Sequence, residues 1–189
     1  MNVNYRQASS SDAATIAALG ATVWITTYAR DGVVPVFAAY VLEHFTEQRI
    51  RTALLEPDTR FWVAEANGGM LGFLEFRRGV RTHCLTDVLQ AEVSRLYVLE
   101  RFTRNGIGRA LLDRCRDDAV SYRASSIWLS VYSENARAID FYRSSGWKLA
   151  GETGFLLGGV SYLNYVFSQD TKQNQTAEPG ATDNPDGAQ

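Results

Sequence analysis

The chain is poor in the residues that usually announce a metal or redox site. It holds two cysteines and two histidines in 189 residues. Cys84 and Cys115 lie far apart and fit neither a C-x-x-C nor a zinc spacing. His44 and His83 add no metal-ligand pattern, and the His83-Cys84 pair sits in a polar segment where it reads as a loop coincidence. No metal is therefore expected. Sparse cysteine suits a reducing cytoplasm. Basic blocks are also missing and the formal net charge is −2, which argues against nucleic acid as the main partner. No run approaches the ~20 apolar residues of a membrane span, and MNVNYRQASSSD at the start has no apolar signal core. The expectation is a soluble, cytoplasmic protein without a membrane partner.

What is present is an ordinary globular balance, 46% hydrophobic and 21% charged, with length enough for one domain and a substantial core. Val3, Tyr5 and Gln7 alternate as a first short strand. Ser9 to Asp12 supplies a helix start, and Ile16, Leu19 and Val23 recur at helical spacing. Asp31-Gly32 breaks that helix. Pro35 can open the next. Val36–Leu42 and Glu47–Leu55 read as helix, pivoting near Thr46. Arg60–Ala66 and Met70–Phe76 form a hairpin around Asn67-Gly68-Gly69. Arg77 to Gln90 reads as an irregular polar loop. Then follow a strand (Glu92–Leu99), a helix (Ile107–Tyr122), a strand (Ser126–Tyr132), a helix (Ala136–Ser145) stopped by Gly146, and two strands (Trp147–Glu152, Val160–Ser168). This predicts one α/β domain over residues 1–168 with about seven strands and four helices. From Gln169 to Gln189 no apolar periodicity remains, and a disordered tail is expected.

Two blocks carry chemistry. The first is EVSRLYVLERFTRNGIGRALL, Glu92 to Leu112. It is a strand, a loop and a helix opening on Gly106 and Gly108. Lacking Cβ, these glycines let a ligand approach the backbone. The helix-start N–H groups and the macrodipole favour an anion there, and Arg104 and Arg109 add charge. A tight turn that merely packs closely would also use Gly-x-Gly. Two specific ligands are excluded by residue. A dinucleotide fingerprint wants a third glycine where Leu111 stands, and a P-loop wants Lys-Ser/Thr after the glycine where Arg109-Ala110 stand.

The second block is SENARAIDFYRSSGW, Ser133 to Trp147. By itself Asn135 reads as an N-cap and Tyr142 as core packing with its hydroxyl at the rim. Together, LYV (Leu96–Val98), NGIGRALL (Asn105–Leu112) and N-x-x-A-I-x-F-Y-x-x-x-G-W (Asn135–Trp147) resemble the GNAT N-acetyltransferase superfamily. The resemblance spans roughly Val3 to Ser168 and is specific over Glu92 to Trp147. In look it is nearest to bacterial polyamine, small-amine or peptide N-acetyltransferases. One departure stands out: Thr103 holds a position where the family usually has Gln or Arg, and Arg104 replaces a frequent glycine.

The resemblance implies the GNAT fold, a single mixed, largely antiparallel sheet of about seven strands with helices on both faces. It implies acetyl-CoA as co-substrate, held between two splayed strands. The pantetheine arm would pair with Leu96, Tyr97 and Val98, the pyrophosphate would take Thr103, Arg104, Asn105, Gly106, Ile107, Gly108 and Arg109, and Asn135 would bond the arm. Tyr142 would be the general acid. Glu92 would be the base, on the strand face of Ser94, Leu96 and Val98 by the period of two. The acceptor would be a small amine or a peptide or protein amine. A CoA-binding sensor or scaffold is the alternative, with Thr103 its main support. A homodimer is common in such a family, though no interface is visible in the sequence. Trp24, Tyr28 and Phe37, with Glu43, Glu65 and Glu75, lie where an acceptor would enter, but read more simply as core and solvated faces.

Overall fold

The computed structural model describes residues 1–171. Twelve elements follow in the expected order. They are β1 (Asn4–Gln7), α1 (Ala13–Tyr28), α2 (Pro35–His44), α3 (Glu47–Leu55), β2 (Thr59–Ala66), β3 (Gly69–Arg78), β4 (Gln90–Val98), α4 (Ile107–Ser121), β5 (Ser126–Tyr132), α5 (Ala136–Ser144), β6 (Lys148–Leu157) and β7 (Val160–Asp170). The region expected to pivot near Thr46 divides there into α2 and α3. The Thr46 hydroxyl accepts from the Arg49 N–H at 3.2 Å and caps α3, as threonine does before a first helical turn.

The strands make one seven-stranded sheet in the order β1-β2-β3-β4-β5-β7-β6. Only β4 and β5 run parallel; their neighbours pair antiparallel. Helices cover both faces, as expected. On one face α4 and α5 bury Ile107, Leu111, Cys115, Ala119, Ile139 and Tyr142 against Leu74, Phe76, Val93, Ile127 and Leu129. On the other, α1 and α3 bury Ile16, Leu19 and Ile50 against Phe61, Val63 and Phe73, and α1 and α2 add an aromatic cluster around Trp24. The α4 face is the one its sequence spacing specifies. Among the described residues no helix is long and apolar enough to cross a membrane.

Four boundaries differ from expectation: β6, expected to end at Glu152, stays paired to β7 as far as Leu157, and at the other three backbone pairing or a buried polar group overrides composition. Arg77 and Arg78, expected in a solvated loop, continue β3 opposite Glu92 and Ala91. Gln90, expected to close that loop, is fully buried and organises it. Its side chain accepts from the Thr82 N–H at 2.8 Å and donates to the Leu85 and Asp87 carbonyls at 3.2 and 2.7 Å. The predicted tail begins too early by three residues. Gln169 and Asp170 pair with Ile127 and Ser126, and Thr171 is buried with its hydroxyl donating to the Ala124 carbonyl. The remainder of the expected tail, residues 172–189, lies outside the described residues.

The parallel pair positions the site. β4 pairs with β5 only at Gln90↔Ser126, Ala91↔Ile127 and Glu92↔Trp128. Beyond that the strands part and leave a wedge. β4 carries an extra residue just past the last pair: Phe76 faces Val93 and Glu75 faces Arg95, so Ser94 has no partner on β3. A bulge of this kind bends and twists its strand. On the far side of β4, Gly72 lets β3 approach closely. A Cβ there would fall 2.7 Å from the Tyr97 carbonyl oxygen and 3.1 Å from Val98 Cα. Gly72→Ala should therefore cost about 1–3 kcal/mol, as overpacking does, read as a lower midpoint in urea unfolding.

Candidate active site

The glycine segment folds into a turn held by its own side chains. The Thr103 hydroxyl donates to the Glu100 carbonyl at 2.7 Å, and the Asn105 amide donates to the carbonyls of Phe102 and Thr103 at 3.2 and 3.4 Å. Arg104 and Gly106 both take positive φ, 63° and 76°. Gly106 is the N-cap of α4 and brings no side-chain cap. Those two left-handed residues turn the backbone so that its donors face outward. Among the described residues, the N–H groups of Arg104 through Arg109 find no acceptor within the protein. Six consecutive free donors at a helix start form a strong anion cradle. Gly108 has a packing role besides, since a Cβ there would meet the Phe141 ring at 3.1 Å.

The cradle opens onto a cavity of about 480 Å³. Of the residues expected from sequence, Leu96, Val98, Thr103, Arg104, Gly106, Ile107, Gly108, Arg109, Asn135 and Tyr142 line it. Asn105 and Tyr97 do not. Asn105 turns its amide back onto the loop. Tyr97 points to the α1 and α2 face, against Phe45 and Phe73. Its main chain also turns away from the wedge. The Leu99 N–H bonds the Leu71 carbonyl at 2.9 Å, so alternation directs the backbone of Tyr97 toward β3 and that of Leu96 and Val98 into the wedge. The free β4 edge thus belongs to Leu96 and Val98.

Asn135 caps α5 by accepting from the Ala138 N–H at 3.2 Å. Tyr142 projects from α5, 9% exposed, against Phe141, Trp147 and Phe167. Burial, with the nearby Tyr28 phenol adding to it, pushes the Tyr142 phenol well above its ordinary value. It therefore holds its proton throughout the neutral range.

Glu92 requires a correction. The unpaired Ser94 breaks the period of two, so Glu92 does not share a face with Leu96 and Val98 and is absent from the cavity lining. It lies opposite Arg77, whose guanidinium is 3.7 Å from its carboxylate, on the face that also carries Glu75 and Arg95. Its side chain is only 16% exposed. Burial raises its pKa, Glu75 adds to the rise, and Arg77 and Arg95 oppose it. It is the last β4 residue paired to β5, at the apex of the wedge.

The acids considered for the acceptor side are in ion pairs: Glu75 with Arg95 at 2.6 Å, Glu43 with Arg49 at 2.8 Å and Glu65 with Arg6 at 2.9 Å. Trp24 packs on Tyr28, Phe37 and Tyr40 at centroid distances of 4.9, 5.3 and 4.9 Å. His83 and Cys84 both approach the Glu152 carbonyl, at 3.2 and 3.6 Å. Among the described residues, no group of three or more His, Cys, Asp or Glu side chains gathers as a metal cage.

The cavity also takes in residues the sequence reading missed. Val23, Thr26 and Thr27 of α1, with Arg30 in the turn that follows it, form one wall, and Glu134 and Arg137 flank Asn135. Nothing local marks the α1 residues, whose role depends on where the helix packs. Arg137 does carry a signal. A cation in the first turn of a helix faces the positive end of the dipole and is disfavoured. Four arginines (30, 104, 109, 137) against two glutamates (100, 134) line the cavity of a chain whose net charge is −2.

A mixed sheet opened between two parallel strands, with free backbone donors at one lip and a buried phenol beside it, is the architecture of this cavity. Comparison with known proteins gives the family. The sequence model of the Acetyltransferase (GNAT) family matches residues 25–147, and the chain belongs to that family. It is 28% identical over 133 residues to an uncharacterized N-acetyltransferase of Mycobacterium bovis, covering 70% of this chain and 81% of that one. An N-alpha-acetyltransferase of Sulfurisphaera tokodaii is 32% identical over 100 residues, 50% of this chain and 60% of that one. Among solved structures, the paiA N-acetyltransferase of Thermoplasma acidophilum in complex with coenzyme A superposes with a TM-score of 0.73 at 20% identity, covering 90% and 99% of the two chains.

The Tyr142 environment is testable directly. A spectrophotometric titration of wild type minus Tyr142→Phe should show no phenolate from Tyr142 near the ordinary value of ~10.

Proposed function

We propose that the protein transfers the acetyl group of acetyl-CoA to a primary amine by direct attack within a ternary complex. The observation that carries this reading is the meeting of three features in one cavity: the free donors of Arg104 to Arg109, the unpaired β4 edge at Leu96 and Val98, and the Tyr142 phenol. Each fits a different part of acetyl-CoA. The donor run suits a pyrophosphate, the strand edge suits the amides of the pantetheine arm, and the phenol suits the sulfur end. The CoA-bound T. acidophilum relative supports the choice of ligand.

The thioester brings an acyl group already activated for attack, so neither a metal nor a protein nucleophile is needed. The residues of the chain then have three tasks. An amine of pKa ~10.4 is mostly protonated at neutral pH, and Glu92, at the apex of the wedge but outside the cavity lining, takes that proton through water. The raised pKa of its buried carboxyl matches a base better than an ordinary carboxylate would. The Val98 N–H stabilises the oxygen that gains negative charge as the amine nitrogen bonds the carbonyl carbon. As the carbon–sulfur bond breaks, Tyr142 gives its proton to the departing thiolate, and the second proton, shed by the acylated nitrogen as it becomes an amide, restores the phenol.

Thr103 favours a second reading. A short side chain where the family usually has Gln or Arg suits a domain that binds CoA without turning it over. Calorimetry with acetyl-CoA, paired with a thiol-release assay over an amine panel, separates the two. Turnover is expected; tight binding without thiol release for any amine would favour the sensor.

Tyr142→Phe should lower kcat by about tenfold or more with the KM for acetyl-CoA little changed; unchanged turnover removes the acid role. For Glu92 the sign follows from its raised pKa. The wild-type rate should fall as pH drops through an inflection above ~4.3. Glu92→Gln should lose that inflection and approach the wild-type rate only toward the pKa of the amine. An inflection retained in the variant removes Glu92 as base.

A further inference from the structure

The two walls of the cavity are joined by a side chain that the glycine segment does not supply. Arg137, in the first turn of α5, reaches across to donate to Glu100 Oε1 at 3.2 Å and to Thr103 Oγ1 on the opposite wall. It lines the same cavity as the free N–H groups of Arg104 to Arg109. We infer that Arg137 is a pyrophosphate ligand, exchanging the Glu100 carboxylate for a phosphate oxygen when the coenzyme binds. This rests on the proposed acetyl-CoA reading.

Three observations support the exchange. Thr103 stands at the start of the cradle with a hydroxyl already committed to the Glu100 carbonyl. It cannot reach an anion as a long side chain could, and Arg137 places a guanidinium at that spot from the other wall. The Arg137–Glu100 pair is solvated, with side chains 53% and 76% exposed. Such pairs contribute little and are readily given up. Lastly, Arg137 sits at the positive end of the α5 dipole, and among the described residues Glu100 alone offsets it by an ion pair. A phosphate held between the cradle and Arg137 would relieve that placement and accept a bidentate fork. Glu100 is then a competing carboxylate that holds the guanidinium in place until a stronger anion arrives.

The exchange predicts opposite signs for the two partners. Calorimetric titration of the full chain with CoA and with 3′-dephospho-CoA is the test, on wild type, Arg137→Ala, Arg137→Lys and Glu100→Gln. Arg137→Ala should weaken both ligands about tenfold and equally, the order expected for hydrogen bonds to a charged group. Arg137→Lys should recover part of the loss, keeping the charge without the fork. Glu100→Gln should bind both at least as tightly as wild type. If Arg137 serves only to tie the walls together, Glu100→Gln removes the ion pair from that tie and weakens binding too, and the inference falls. It also falls if Arg137→Ala binds as wild type does, or if its loss appears with CoA and not with dephospho-CoA, which would assign it to the 3′-phosphate. A wild type that binds neither ligand overturns the coenzyme reading itself.

Discussion

The candidate site depends on where β4 stops pairing with β5. Three residue pairs hold the strands together, and after Glu92 the ladder ends. Ser94, with no partner on β3, is the local cause. A strand carrying an extra residue bends, and a bent strand cannot keep a parallel neighbour in register. The separation turns an interior strand into one with a free edge, and the free edge at Leu96 and Val98 is what a ligand can pair with. The same residue reverses which side chains face which way. It sends Glu92 to the face of Arg77 and Arg95, while Leu96 and Val98 stay with α4 and α5. A continuous ladder would have neither a cavity nor a carboxylate at its apex.

Charge placement follows from that opening. An acidic chain gathers four arginines around one cavity, and the backbone adds six N–H donors at the lip. The opposite face of the sheet does the reverse. Its acids and bases are paired closely, Glu75 to Arg95 at 2.6 Å among them, leaving little net field. A positive, partly enclosed wall attracts an anion, and its low-dielectric lining strengthens that attraction. Within it, the Tyr142 phenol remains protonated because burial penalises its anion. Donor run, strand edge and buried phenol therefore meet around one gap in the sheet.

Much of this was legible in the chain. The period of 3.6 in Ile107, Leu111, Cys115 and Ala119 set the α4 face, and all four are buried there. Asn67-Gly68-Gly69 set the first hairpin. Gly106 marked the turn into α4, which it enters at positive φ, and Gly108 the close packing of that helix on Phe141. What was lost had common causes. Arg77, Arg78, Gln169 and Asp170 are polar residues recruited into strands by backbone pairing, which carries no hydrophobic signature. The bulge at Ser94 is equally silent, and it displaced Glu92 by one face.

The sequence by itself determined the order of elements, the helix faces, the glycine cradle and the family, since these rest on local periodicity and on residues within one short segment. Only the tertiary structure decided that Thr26 of α1 and Arg30 just beyond it close the cavity, that Glu92 sits at the apex of the wedge on the opposite face, and that Arg137 spans the two walls to Glu100. Those relations join residues tens of positions apart. They are fixed by how strands register and helices pack, which no single stretch of chain encodes.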